Sequence, residues 1–195
     1  MRACVWFLGL YDRRMSGVIG YHIVKTTYGT WLPGDERGSW SEGWDDRLGY
    51  FGAHRLHDGD ARRERMARAR MKCEPVVLTA GMVRAVTGAV GACAERSSWE
   101  VGALAIEPTH MHLLITCSGL DVDRTARWIG QMTTKAVHRD TDHAGVVWSK
   151  GSWRGYVRDA KQWQSTAAYI ERHNVRRGLA ARPYGFIAAD IAPGC

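Results

Sequence analysis

The feature that most constrains the fold is the segment over residues 111–116, in which a short apolar run follows the second histidine of His110-Met111-His112. A run of this length beside a turn sequence is typical of a buried β-strand. Because strand side chains alternate between two faces, His110 and His112 point the same way and Met111 points to the other side. Two imidazoles on one face can supply half of a metal site. The alternative is a pair of structural histidines, held by hydrogen bonds at a strand edge.

The order of strand and helix patterns predicts the fold class. We expect strands at 20–28, 99–106, 111–116, 146–148 and 153–157, helices at 78–97, 121–138 and 160–174, an irregular loop at 29–50 and a basic, helix-prone insert at 54–72. This order predicts an α+β fold, a ferredoxin-like split βαβ unit whose antiparallel sheet has its helices packed on one face. One domain is expected over residues 18–180, with the loop and basic insert at 29–77. Residues 1–17 are expected to form an N-terminal extension and residues 181–195 a C-terminal tail.

The positive charge of the chain is clustered. The formal net charge is +7 and the pI is about 9.4. Basic clusters favour a polyanion as partner, through contacts with phosphates and release of counterions. The alternative for the basic run at 55–72 is a solvated helix face. The basic residues predicted to contact the polyanion are Arg62, Arg63, Arg65, Arg68, Lys150, Arg154, Arg172, Arg176 and Arg177.

The cysteine count and the hydropathy of the chain indicate the cellular compartment in which the protein is expected. The chain has 5 cysteines, an odd number, and no C-x-x-C pair. This favours reduced thiols in a cytoplasmic protein over a disulfide framework or a zinc ribbon. No apolar run approaches the roughly 20 residues that span a bilayer, so no membrane association is predicted. The N-terminal stretch lacks a small-residue cleavage site, and no signal peptide is predicted.

The last predicted helix carries a second group of reactive side chains. Trp163, Ala167 and Ile170 form its apolar stripe. Tyr169 and His173 are four residues apart and therefore lie on one flank of that stripe. If the helix lies against the sheet, this flank meets the strand side chains and adds a third imidazole and a phenol. Asn174 is the alternative ligand, and the alternative for Tyr169 is an ordinary half-buried tyrosine with a solvated hydroxyl.

Four segments together resemble a known family, the single-tyrosine HUH transposases of the REP-associated tyrosine transposase type. These segments are residues 28–38 (YGTWLPGDERG), 108–113 (PTHMHL), 148–153 (WSKGSW) and 169–179 (YIERHNVRRGL). They resemble, in order, a loop signature of one branch, the HUH strand, a hairpin with two tryptophans and the tyrosine helix. Several motifs in the expected order are much more specific than one. The helix in this family often has Asn four residues after Tyr, and here His173 takes that place.

The resemblance implies a function and a set of roles. It implies a transposase that cleaves and rejoins single-stranded DNA near hairpins, with Tyr169 as nucleophile and a 5′-phosphotyrosine intermediate. A divalent ion, Mg²⁺ or Mn²⁺, would be held by His110, His112 and His173, and imidazoles suit Mn²⁺ better. The basic insert would grip the hairpin, and Trp31 and Trp40 are candidates for base stacking. Some relatives exchange the tyrosine helix between the two subunits of a dimer and others act as monomers, so both a homodimer and a monomer stay open. A cytoplasmic, nucleoid-associated location is also expected.

Two other functions fit parts of the pattern. A non-catalytic DNA-binding protein derived from a transposase would keep the basic surface without needing Tyr169. A metal-dependent hydrolase would need a carboxylate base, for which Glu107 is nearest in sequence. Alternation along a continuous strand places Glu107 on the face opposite His110, which disfavours the hydrolase.

Overall fold

A computed structural model describes residues 17–45, 50–116 and 121–188, and the side chains in these ranges except those of residues 40–56. The elements are β1 (Gly20–Thr26), β2 (Ser39–Asp45), β3 (Tyr50–His57), α1 (Ala61–Ala69), α2 (Ala80–Glu95), β4 (Val101–Ile106), β5 (His110–Thr116), α3 (Val122–Asp140), β6 (Trp153–Val157) and α4 (Ala160–Arg176). Three helices begin at the side-chain caps that their sequences suggest. Thr79 caps α2, Asp121 caps α3 and Asp159 caps α4, each accepting from backbone N–H groups of the first turn.

The main sheet has four strands in the order β4-β5-β1-β6, and every pair is antiparallel. With the insert set aside, the chain runs β-α-β-β-α-β through this sheet, which is the predicted ferredoxin-like arrangement. The α+β class and the antiparallel sheet are therefore confirmed. Residues 146–148, predicted as a strand, form only an isolated bridge between Trp148 and Thr27.

The sheet is covered on both faces. Helices α2 and α3 pack on one face with Tyr21, Ile23 and Met111, in the larger apolar cluster. Helix α4 packs on the opposite face, where Trp163 and Ile170 belong to a second cluster. The prediction that all helices lie on one face therefore holds for α2 and α3 and is wrong for α4. The physical reason lies in β4, whose six residues are all buried because each face of the sheet carries a helix.

Two glycines set the distance between α4 and the sheet. A Cβ atom at Gly20 would lie 2.4 Å from the indole ring of Trp163, and one at Gly102 would lie 2.3 Å from the same ring. The absence of both side chains creates the hole that this indole fills. At the other end of α4, Asn174 donates hydrogen bonds from Nδ2 to the carbonyl oxygens of Leu104 and Ala181, both at 2.9 Å. The helix is thus held close to the sheet at both ends.

The segment predicted as an irregular loop contains β2, which pairs with β3 at the start of the insert, with an irregularity in register between Gly43 and Trp44. The predicted helix of the basic insert is α1, which contains no buried residue. The loop before β2 holds α1 in place, because Asp60, the N-cap of α1, donates its N–H to the carbonyl of Gly34 at 2.8 Å. Gly34 adopts a φ of +94°, and a Cβ there would lie 2.5 Å from backbone atoms of Asp60 and Glu64.

Part of the predicted C-terminal tail belongs to the packed domain. Tyr184, Phe186 and Ile187 pack against the larger apolar cluster, and Ile187 bridges Val101 of β4. Residues 1–16 of the predicted N-terminal extension, and 189–195 of the predicted tail, lie outside the described residues. In the part of the chain that the structure describes, no helix is both long and apolar enough to cross a membrane.

Candidate metal centre and nucleophile

Three of the predicted ligands converge on the sheet face that α4 covers. His110 and His112 are next-but-one neighbours on β5, and alternation turns both toward α4, while Met111 is buried on the other side. His173 lies on α4, about three turns after Trp163, and approaches the two β5 histidines from that helix. One nitrogen from each of the three imidazoles lies within 4.8 Å of the others. Such a set of nitrogens is able to hold one divalent ion.

Each of the three imidazoles has a partner at Nδ1. His110 Nδ1 lies 3.1 Å from Thr109 Oγ1, His112 Nδ1 lies 3.0 Å from His22 Nε2, and His173 Nδ1 lies 3.0 Å from Glu107 Oε1. This leaves the three Nε2 atoms for a metal. His173 Nε2 is buried and has no hydrogen-bond partner among the described residues. A buried nitrogen without a partner is costly, and a bound cation removes that cost, so the residues fit a divalent ion.

Burial keeps the imidazoles of His22, His110 and His112 neutral. Burial, followed by repulsion from His22, lowers the pKa of His112 from 6.5 to about 2. Burial, followed by repulsion from His173, lowers the pKa of His22 to about 4. Burial also lowers the pKa of His110, against the opposite effect of the Glu107 carboxylate. At neutral pH these groups are therefore in the neutral form that binds metals.

Tyr169 lies at the open side of the histidine cluster. Its ring centroid is 5.0 Å from that of His173 and 5.4 Å from that of His112. The side chain is 41% exposed, so a substrate can reach the phenol from solvent. The guanidinium of Arg172 lies 5.8 Å from the centre of the Tyr169 ring. The Tyr169 phenol, the Arg172 guanidinium and the three imidazoles thus meet at one surface.

Two residues occupy positions that the sequence did not predict. Asn174, the alternative ligand, is 1% exposed, and its Nδ2 donates to the carbonyl oxygens of Leu104 and Ala181, which holds its amide against the backbone. Glu107 faces His173, because β4 ends at Ile106 and the turn that follows breaks the alternation used to place it. The prediction that Glu107 lies away from the site was therefore wrong. Its second oxygen lies 3.7 Å from Arg177 Nε.

His22 is a member of the site that sequence reasoning missed. It lies on β1 and, besides its contact with His112, its ring is 5.2 Å from that of Trp153 and 6.2 Å from that of Tyr169. The signal for it is weak in the sequence, because only the register between β1 and β5 brings positions 22 and 112 together. That register pairs His22 with Leu114 and Val24 with His112, so the two imidazoles are diagonal neighbours on one face.

The predicted DNA-contacting residues fall into two groups. Exposed side chains include Arg62, Arg63, Arg65 and Arg68 of α1, Lys150, and Arg172 and Arg176 of α4. Arg68 is paired with Glu64 at 2.6 Å. Arg154 is instead engaged by Asp123 of α3, on the sheet face away from the histidines, and Arg177 binds the Ile106 carbonyl beside Glu107. The structure therefore gives these last two arginines partners within the protein.

The Trp31 indole is less accessible for base stacking than the sequence suggested. Its Nε1 donates to the Gly38 carbonyl at 2.6 Å, and the guanidinium of Arg37 covers one face of the indole at 4.4 Å. Arg37 is itself held by Asp35 at 2.5 Å. Trp40 belongs to β2, but its side chain lies outside the described residues.

A cavity of about 980 Å³ opens next to the cluster. Its wall includes His22, His112, Tyr169, Trp31, Trp153 and Lys150. Helix α1 contributes Ala67 and Arg70 to the same wall, so the basic insert borders the site. The cavity therefore connects the candidate nucleophile with aromatic and basic side chains.

Comparison with known proteins finds similarity to solved structures only. No protein-family model matches the chain, and no curated protein matches it. A solved structure described as "Structure of the REP associates tyrosine transposase bound to a REP hairpin" is similar over 96% of this chain and 98% of that chain, with 15% sequence identity and a TM-score of 0.42. At this identity and TM-score the similarity carries no inference about function.

Proposed function

We propose that this protein is a metal-dependent tyrosine transposase that cleaves and rejoins single-stranded DNA near hairpins, a member of the family whose motifs its sequence resembles. The observation that supports this most directly is the position of Tyr169. An accessible phenol stands 5.0 Å, ring to ring, from a histidine whose buried Nε2 lacks a partner among the described residues. A nucleophile beside a cation site is the arrangement that phosphoryl transfer requires.

The proposed chemistry balances without a co-reactant. Tyr169 Oη forms a bond to the phosphorus of one phosphodiester, the bond between phosphorus and the 3′ oxygen breaks, and the phenolic proton passes in net to that oxygen. The products are a 5′-phosphotyrosine and a free 3′-OH. Attack by a 3′-OH in the reverse direction rejoins the strand, so the phosphodiester energy is conserved.

The residues of the site have separate roles in this proposal. His110, His112 and His173 would hold Mn²⁺ or Mg²⁺, and the ion would neutralise charge that develops on the phosphate oxygens. Arg172 lies close enough to Tyr169 to bind the same phosphate. Three neutral nitrogen ligands favour Mn²⁺, because Mg²⁺ prefers oxygen.

The DNA is bound, in this proposal, along the surface that borders the cavity. The exposed arginines of α1 contact the phosphates of a hairpin, and the cavity beside Tyr169 receives the adjoining single strand. Arg154 and Arg177 are left out of this surface because Asp123 and the Ile106 carbonyl hold them. The proposal includes a cytoplasmic, nucleoid-associated location and either a monomer or a homodimer.

A covalent-adduct assay tests the proposal. The protein is incubated with single-stranded hairpin DNA from its own genomic flanks, with Mn²⁺ or with EDTA, and a protein–DNA adduct is sought on a denaturing gel. We expect an adduct that needs Mn²⁺ and disappears in Tyr169→Phe while hairpin binding is retained. Tyr156→Phe, which removes the hydroxyl of another exposed tyrosine on β6, is the matched control and keeps the adduct.

The same assay separates the alternatives. Strand cleavage that survives Tyr169→Phe would refute the tyrosine mechanism in favour of a metal-dependent hydrolase. Tight hairpin binding without an adduct in any divalent ion would identify a non-catalytic DNA-binding protein derived from a transposase. The hydrolase has little support here, because Glu107, its candidate base, is already occupied by His173 and Arg177.

A further inference from the structure

His22 has no role in the mechanism above, although it lies against one of the ligands. Its Nε2 is 3.0 Å from His112 Nδ1, which is hydrogen-bond distance between two ring nitrogens. A hydrogen bond between two neutral imidazoles needs one proton and has two forms, which differ in the ring that donates. The two forms have opposite consequences for the cluster.

The consequence follows from the two nitrogens of His112. If His22 donated, His112 would carry its own proton on Nε2, and that N–H would point at His110 and His173. If His112 donates from Nδ1, its Nε2 is an acceptor and is able to bind a cation. Only the second form is compatible with a metal ligand, and a hydrogen-bond acceptor at Nδ1 also fixes the ring orientation.

The structure holds His22 firmly in the place where it acts. The ring of Trp153 meets His22 edge to face, with 5.2 Å between centroids and 77° between planes. Position 155, which is directly opposite His22 in the sheet, is a glycine. A Cβ there would lie 2.7 Å from the Trp153 ring, so Gly155 leaves the room that this indole occupies beside His22.

We propose that His22 is a positioning residue: its Nε2 accepts a hydrogen bond from His112 Nδ1–H, which leaves His112 Nε2 without a proton and facing the cation site. The inference rests on the proposed function, since it concerns a ligand of the proposed metal. It adds a residue on β1 to a site whose other members come from β5, the turn before it and α4. Glu107 has the same role toward His173, because its carboxylate accepts a hydrogen bond from His173 Nδ1.

The first test is made on the metal-free protein, so that it does not depend on metal binding. Two-bond ¹H–¹⁵N correlation spectra of the histidine rings, recorded with EDTA at neutral pH, distinguish the two neutral tautomers. We expect His112 in the Nδ1–H form. Finding His112 in the Nε2–H form would overturn the proposal, whatever the metal does.

The second test compares two substitutions by Mn²⁺ titration calorimetry. A glutamine at position 22 places an oxygen near the position of Nε2 and still accepts the hydrogen bond, whereas an asparagine is too short to reach. We expect His22→Gln to bind Mn²⁺ nearly as well as the native protein and His22→Asn to bind roughly 10- to 100-fold more weakly. His143→Gln, at a histidine bonded to the Val146 carbonyl away from the cluster, is the matched control and leaves the affinity unchanged.

The outcomes separate this proposal from the proposed function. Equal affinities for His22→Asn and His22→Gln would refute the positioning role while leaving the metal site intact. Absence of Mn²⁺ binding in the native protein would refute the proposed function, and the tautomer spectrum would then still decide the role of His22.

Discussion

Acidification is expected to destabilise this protein already at a pH well above the range in which its carboxylates become protonated. The perturbation is a change from pH 7.5 to pH 5.0 in EDTA. His22 and His112 have pKa values of about 4 and about 2 in the folded chain, and 6.5 is the ordinary value. Folding therefore lowers both pKa values, so the unfolded chain binds protons that the folded chain refuses, and stability falls as the pH drops below 6.5.

The magnitude follows from the width of that window. Between pH 6.5 and pH 5.0 each histidine contributes about 1.36 kcal/mol per pH unit, which gives about 2 kcal/mol each and about 4 kcal/mol for the two. Two other groups with shifted pKa values contribute little to the change in stability between pH 6.5 and pH 5.0. The pKa of Lys25 falls to about 8 through burial, so its effect is nearly constant below pH 7.5. The Arg37 guanidinium holds the pKa of Asp35 below 3.8, so that contribution is lost only at lower pH.

Urea unfolding followed by far-UV circular dichroism measures this effect. The unfolding free energy of the native protein should be lower at pH 5.0 than at pH 7.5 by about 4 kcal/mol or more, because the lowered pKa of His110 adds to the effect of His22 and His112. His22→Phe should lose about 2 kcal/mol less than the native protein over the same interval. His143→Gln should be as sensitive as the native protein. Equal stability of the native protein at the two pH values, or no difference between it and His22→Phe, would refute the reasoning.

Three further predictions concern packing, metal affinity and DNA binding. Gly102→Ala should cost roughly 1–3 kcal/mol of unfolding free energy in a thermal or urea melt, because its Cβ would overlap the indole under α4, whereas Gly88→Ala, with open space around its Cβ in α2, should be neutral or stabilising. Glu107→Ala should weaken Mn²⁺ binding roughly 10-fold or more in calorimetry, because His173 loses its partner. Arg65→Ala should reduce the salt dependence of hairpin binding, seen in fluorescence anisotropy, by about one counterion, while Arg139→Ala should not.

The sequence predicted the elements that carry the site because their signals are local. Strand β5 alternates around Met111, and α4 repeats apolar residues with helical spacing, so each element could be placed without knowing its neighbours. The side chains at 110, 112, 169 and 173 could therefore be assigned to faces. The loop predicted at 29–50 contains β2 instead, because its many Gly, Trp and Asp residues mask the alternation of that strand.

The features that the sequence did not predict depend on contacts between distant positions. The apolar stripe of α4 shows that one side of the helix is buried, but not which face of the sheet buries it. His22 meets His112 across 90 residues of chain, through a register that no local pattern encodes. Glu107 was assigned to the wrong face because the turn at 107–109 ends the alternation at Ile106. These three misses concern tertiary placement, whereas the errors at 39–45 and 146–148 concern the identity of an element.

Because α4 supplies both the proposed nucleophile and the third imidazole, the way it packs on the sheet determines the geometry of the whole site. Tyr169 and His173 lie between the two points where α4 is fixed to the sheet, the Trp163 indole in its glycine hole and the Asn174 amide on the Leu104 carbonyl. A change at either point should shift His173 relative to the β5 histidines, whose positions depend on the sheet alone. Gly102→Ala is therefore expected to weaken Mn²⁺ binding as well as stability, although residue 102 touches no ligand. A variant that loses stability but binds Mn²⁺ like the native protein would show that the site tolerates movement of α4.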